Sequence, residues 1–328
     1  MPTKDLQRWN QDGDYLKGEF EGAGYEVDLQ YANNEAATQV SQIENMISGG
    51  CTVLVIAAVD GYALTQALAT AKESGITVIA HDRLIMETDA VSYYATFNNT
   101  RVGTLQGQFI VNGLDLENAE GPFNIEFFTG DPGDNNINFF YPGAMAELQP
   151  YLDNGKLVCL SGQTEQNDVA TVDWKAENAQ ARMENLISSN GYGPTGTKLD
   201  AVMCSNDSTA QGVVTALLGA GYTAENMPIV TGQDCDIVSV KNMIAGLQSM
   251  SVFKDTRKLA TQVKDMVIAH LAGQTVPTNT EYDNDDALDG TDGERMIPSF
   301  ECELDQGTPD NYVELLIDSG YYEASELE

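Results

Sequence analysis

Basic residues are what this chain most lacks: 16 Lys and Arg stand against 50 Asp and Glu, a formal charge of -34. A field of that sign repels phosphate backbones and anionic bilayers, which excludes nucleic acid and membrane surfaces as partners. It does not oppose a neutral or cationic small molecule. Histidine is scarcer still, with only His81 and His270, and the five cysteines (Cys51, Cys159, Cys204, Cys235, Cys302) form no CxxC pair and no metal-like spacing with them. No metal and no cofactor is expected, and the odd count leaves at least one thiol unpaired within a monomer. Long apolar runs are missing too. The longest, "CTVLVIAAV" from Cys51, is nine residues, far below the roughly 20 that a membrane span needs, so no membrane insertion is expected. Met1 is followed at once by "PTKDLQRW", and no signal segment is expected within the chain. Catalytic signatures are absent as well: there is no GxSxG, no HExxH, and no GxGxxG after a strand, so no enzyme is expected.

What is present is an alternation of helices and short apolar strands over 328 residues, of which 42% are hydrophobic. That is enough to bury real cores, and the length favours two domains. Helical periodicity runs from Leu6 to Glu21, and "YEVDLQYA" alternates as a strand. "EAATQVSQIENMISGG" is a helix stopped by glycines, and "TVLVIAA", "ITVIAH" and "VSYYATF" are further strands separated by helical pattern. After "GLDLENAEGP" the same pattern begins again with "FNIEFFTG", "GKLVCLSG", "LDAVMCSND", "PIVTGQD" and "LQSMSVFK". The reading is α/β: two doubly wound parallel-sheet lobes joined by three crossings, with a hinge near residues 113 to 121. The first lobe is expected at 1–113 plus 254–290, the second at 114–253 plus 291–328. The first lobe has no first strand, although that strand is central in a doubly wound sheet of order 2-1-3-4-5. A signal and a strand upstream of Met1 are therefore expected, and without them the sheet should be left with an unpaired interior.

Polar residues gather where strands end, which is where ligands sit in open α/β sheets. Asp82 and Arg83 end "TVIAHDR", Asn206 and Asp207 end "LDAVMCSND", Gln233 and Asp234 end "PIVTGQD", and Lys254 ends "SMSVFK". Lys4 and Arg8 belong to the first loop, and Asn135 and Asn136 to the loop before "INFF". Carboxylates accept from hydroxyls, Arg and Lys donate to them, and Asn and Gln do both. A neutral polyol wants that mixture. Trp9 and Trp174, one per lobe, offer flat rings for the C–H faces of a pyranose. Asn206 or Asp207 could equally cap the helix at "STAQG". Asp82 and Asp234 are not expected to act as a glycosidase pair, since Arg83 and Lys254 would keep both ionised. "NQDGDYLKGEFE" sets Asn10, Asp12, Asp14 and Glu21 near calcium-loop spacing, but Tyr15 stands where glycine is needed. "DNDDALDGTDGE" from Asp283 lacks the alternation, and both stretches are expected to be solvated surface.

The stretches "MPTKDLQRW", "DLQYANNEAATQVSQIENMI", "VLVIA", "VIAHDRLI", "VSYYATFNN", "GPFNIEFFTGDPGDNN", "AQARMENL" and "VFKDTRKLA" resemble the extracytoplasmic sugar-binding proteins of bacterial ABC importers. The likeness is to the xylose-binding and multiple-sugar-binding branch of the type I periplasmic binding protein fold, and it spans essentially the whole chain. It implies a receptor for an aldopentose or aldohexose that closes around its ligand and delivers it to a permease, at an extracytoplasmic location. It implies an aromatic sandwich at Trp9 and Trp174, and sugar contacts from Asp82, Arg83, Asn206, Asp234 and Lys254. Lys4, Arg8, Gln233, Asn135 and Asn136 lie in loops whose register the resemblance does not fix. His81 departs from the pattern, because these relatives usually carry tyrosine before the Asp-Arg pair. A sugar-responsive regulator shares the fold but would need a helix-turn-helix, which is absent. A chemoreceptor or sensor kinase partner stays open, since it would read the same closed form.

Overall fold

A computed structural model of the chain describes residues 1–285 and 295–328. In chain order the first elements are α1 (Gln7–Gly22), α2 (Ala36–Ser48), β1 (Val53–Ile56), α3 (Thr65–Glu73), β2 (Thr77–His81) and β3 (Val91–Phe97). Then come α4 (Asn99–Gly113), β4 (Phe123–Phe128), α5 (Ile137–Asp153), β5 (Leu157–Val158), α6 (Ala176–Asn190), β6 (Ala201–Cys204) and α7 (Asp207–Gly219). The remainder is β7 (Ile229–Val230), α8 (Ile237–Ile244), β8 (Ser251–Phe253), α9 (Thr256–Leu271), β9 (Thr280–Asp283), β10 (Met296–Cys302) and β11 (Asp305–Gly307).

Two compact units result. Unit 1 comprises Met1–Asn98, Gly133–Asn136 and Asp255–Glu303; unit 2 comprises Asn99–Pro132, Ile137–Lys254 and Leu304–Glu328. Unit 1 is built on a sheet of order β1-β2-β3-β10-β9, parallel except for the β9–β10 pair. Its strand β2 is buried at every position, as a strand covered on both faces must be. Unit 2 has a parallel sheet of order β5-β4-β6-β7 and a separate antiparallel pair, β8 and β11.

The unit boundaries differ from those expected from sequence. The first crossing falls at residue 98 and not at 113, because α4 packs on α5 inside unit 2. That contact is backbone-close: a Cβ at Gly103 would overlap the Phe140 carbonyl, and one at Gly143 the Thr100 carbonyl. The last crossing falls at residue 303 and not at 291, because β10 pairs with β3, Ser299 opposite Tyr94 and Cys302 opposite Phe97.

The segment "YEVDLQYA" was expected as a strand and forms none. Only its end is paired: the Met1 ammonium donates to the Gln30 carbonyl (2.9 Å), and the Ala32 N–H donates to the Met1 carbonyl (3.1 Å). Between residues 25–30 and β1 lies a cavity of about 570 Å³, lined among others by Leu16, Phe20, Val27, Leu29, Val53 and Val267. Periodicity made the segment look like a strand, but a strand exists only through its ladder partners, and here Met1 supplies them for Gln30 and Ala32.

The acidic helix segment also departs from expectation. Asp12, expected on a solvated surface, is wholly buried. Of "DNDDALDGTDGE", Asn284 and Asp285 are buried, and residues 286–294 lie outside the described residues. Among the described residues, no helix is long and apolar enough to cross a membrane.

Candidate functional site

In unit 1 the candidate residues converge at the carboxyl end of β2. Asp82 follows the last strand residue with φ 61°, a left-handed turn that aspartate tolerates better than most side chains. Its carbonyl is held by three donors: Tyr94 Oη at 2.7 Å, Thr96 Oγ1 at 2.9 Å and Asn136 Nδ2 at 3.0 Å. The carboxylate receives Arg8 Nη2. Arg8 lies on the first turn of α1, not in a loop, and its Nε donates to Asp12 Oδ2 at 2.9 Å. Asp12 Oδ1 in turn bonds His81 Nε2 at 3.0 Å. Burial alone would raise the Asp12 carboxyl, but the Arg8 guanidinium and the His81 ring outweigh it and hold it below the ordinary carboxylate value.

Arg83 points elsewhere. It pairs with Asp134 at 2.8 Å and donates to the Ala58 carbonyl at 2.9 Å. The Trp9 ring is buried and carries two guanidiniums, Arg8 at 4.8 Å and Arg83 at 4.9 Å from its ring. Such stacking is electrostatically favourable to the ring face. Asn135 is buried in the same short loop as Asp134 and Asn136. Lys4 does not join this group: it is exposed, with its ammonium 4.8 Å over the Tyr31 ring.

In unit 2, Trp174 closes a 3-10 turn (Val172–Trp174) just before α6, and does not open the helix itself. Its ring lies against Gly130, where a Cβ would fall inside it, and meets Phe140 edge-on at 6.3 Å. Its carbonyl accepts from Ser208 Oγ at 2.6 Å. Asp234 sits beyond β7 at φ 97° and pairs with Lys254 at 3.3 Å. Lys254 is 2% exposed and lies 5.6 Å from the Phe140 ring, so its charge is desolvated and depends on that aspartate. Asn206 is the N-cap of α7, accepting from the Thr209 N–H at 3.0 Å, so the capping role is realised. Gln233 donates to the Ser205 carbonyl at 3.0 Å, while its own amide oxygen is buried without a hydrogen-bond partner.

Behind Asp234 stands Asp207. Its carboxylate accepts from Gln248 Nε2 (2.9 Å), Ser251 Oγ (2.9 Å) and the Asp236 N–H (2.8 Å). Burial, then the nearby Asp234 carboxylate, push the Asp207 carboxyl up to about 8. Neither Asp12 nor Asp134 stood out as a site residue from sequence, and Asp207 did so only as a strand-end residue or a possible helix cap. The spacing of Arg8 and Asp12, four apart on one helix face, was the available signal for the first.

Comparison with known proteins gives a consistent result. A family model described as "Periplasmic binding protein domain" matches residues 1–275. A solved solute-binding protein of an ABC transporter from Clostridium phytofermentans, with bound β-D-glucose, superposes with a TM-score of 0.94. It is 57% identical and covers 100% of this chain and 98% of its own. The multiple sugar-binding periplasmic receptor ChvE of Rhizobium radiobacter is 46% identical over 331 residues, 100% of this chain and 90% of that protein. The D-xylose-binding periplasmic protein of Escherichia coli is 34% identical over 323 residues, 98% of this chain and 89% of that protein. With the family model spanning most of its length and parallel α/β sheets in both units, the chain belongs to the periplasmic binding proteins.

Proposed function

We propose that this protein is an extracytoplasmic receptor for a neutral aldopentose or aldohexose, which it presents to the permease of an ABC importer. The observation that carries the reading is that each unit places a tryptophan and an ion-paired aspartate at the carboxyl ends of its parallel strands. Unit 1 supplies Trp9 with Asp82, Arg8, Arg83 and Asn136; unit 2 supplies Trp174 with Asp234, Lys254, Asn206 and Gln233. Each carboxylate already has its cation, so these sets suit a ligand that brings hydroxyls and no net charge. Hydroxyls donate to Asp82 and Asp234 and accept from the cations. Relatives that carry glucose or are named for xylose and multiple sugars support the same ligand class. Bound sugar favours whichever state of the protein holds it more tightly, by its differential affinity for that state. Nothing in the reading calls for bond breaking, and the protein acts as a binder and not as an enzyme.

The test is titration of the purified protein with xylose, glucose, galactose, arabinose and ribose, followed by calorimetry and by emission of its two tryptophans. Saturable binding of one or two of them, with a change in emission, is expected. Silence with all five by both methods overturns the reading.

A further inference from the structure

We infer that Asp12 and His81 are positioning residues, which fix how Arg8 and Asp82 are presented to the ligand. The inference rests on the sugar reading above and adds to it two residues that need not touch the sugar.

The geometry is a closed circuit. His81 Nε2 bonds Asp12 Oδ1 (3.0 Å), Asp12 Oδ2 accepts from Arg8 Nε (2.9 Å), Arg8 Nη2 meets Asp82, and one peptide bond joins Asp82 back to His81. All four side chains are buried, the most accessible being Arg8 at 6%. A guanidinium is a rigid planar fork. Anchoring its Nε therefore sets the plane in which its Nη2 reaches Asp82. Asp12 can serve as that anchor because its second oxygen is taken by His81, so the carboxylate cannot swing. Among the described residues the His81 Nδ1 meets no hydrogen-bond partner, which leaves the bond to Asp12 as the ring's polar contact there. A buried imidazole is costly to keep for filling space. The other charged and titratable groups facing Asp12 are the Met1 amino group, the Asp82 carboxylate, which opposes it, and Tyr31.

The experiment compares His81→Leu, which deletes the donor, with His81→Gln, whose amide nitrogen can restore it. Affinity for the sugar the parent binds most tightly is measured by calorimetry. The Arg8 Nε–H resonance is followed by NMR in the sugar-free full chain. His81→Leu should bind about tenfold more weakly or worse, the scale of a lost bond to a charged group, and its Arg8 signal should broaden. His81→Gln should recover most of the affinity and a sharp Arg8 signal. Parental affinity in folded His81→Leu, or no recovery in His81→Gln, overturns the inference. Should His81→Leu not fold, Asp12→Asn takes its place: the same loss and broadening are expected, and unchanged values are fatal. If the parent binds no sugar, the sugar reading falls, while the Arg8 resonance still decides the positioning role.

Discussion

The two units solve one problem in opposite ways. Each has an aspartate at a strand end, Asp82 or Asp234, and must accommodate a second, buried aspartate close to it. In unit 1 the supporting carboxylate, Asp12, is braced by Arg8 and the His81 ring and held low. In unit 2 the supporting carboxylate, Asp207, has donors from Gln248, Ser251 and the Asp236 N–H, and it is pushed up. The difference teaches that the same residue type at matching depth can serve as a charge anchor or as a hydrogen-bond hub. Which it becomes depends on whether a cation is built beside it.

The severest way to break the comparison is Asp12→Ala. It takes one of two carboxylates from the buried Arg8 guanidinium and strips the His81 ring of its bond, and removing one partner of a buried pair costs up to about 3–5 kcal/mol. Denaturant unfolding should show that loss, whereas Asp207→Asn, which keeps shape and leaves no cation stranded, should cost well under half as much. Asp82→Ala comes next. It removes one of the two Arg8 carboxylates together with the sugar contact we propose for Asp82, and calorimetry should record a loss of about a hundredfold or more in sugar affinity.

The pH response should sharpen the contrast. The carboxyl of Asp207 is raised from 3.8 in the folded chain. Its contribution is therefore largest at low pH and is lost as pH climbs from about 4 towards 8. Asp12 is lowered, so its contribution is present above the unfolded value and disappears as pH falls. Relative to the parent, Asp207→Asn should gain thermal stability on going from pH 5 to pH 8, and Asp12→Asn should recover ground below pH 4. Parallel pH curves for all three proteins would refute the contrast.

Two smaller effects bracket the site. Gly130→Ala should push the Trp174 ring from its seat, costing about 1–3 kcal/mol as overpacking does, with a shifted emission in the sugar-free protein. Lys4→Ala, at an exposed position over Tyr31, should leave sugar affinity within about twofold of the parent, as surface changes usually do.

Much of this was legible in the sequence, for identifiable reasons. Strand ends announce themselves, since a run such as "TVIAH" must stop where polar groups begin, and so Asp82, Arg83, Asp234 and Lys254 could be placed. The pairing of β10 with β3 was not legible, because its residues lie some two hundred positions apart and carry no mutual mark. Asp12 was hidden by its setting: one acid among several on an acidic helix looks like surface. Only the three-dimensional return of β2 to α1 puts His81 beside it. Asn206 supported two readings at once, and the bond from the Thr209 N–H realises the cap.

The route of the chain has a consequence for its birth on the ribosome. Unit 1 holds the first residue, yet β10 lies between β3 and β9 in its sheet and ends at Cys302. Its ladder stays incomplete until nearly the whole polypeptide has emerged. Most of unit 2 is contiguous, from Asn99 to Lys254 apart from four residues. Domains tend to fold in order of synthesis, but long-range strand pairing is slow. Here the sheet begun first is therefore completed only after most of unit 2 has been made. The early β1, β2 and β3 must wait through the synthesis of most of another unit, and a nascent chain of this design should engage holdases through those three strands.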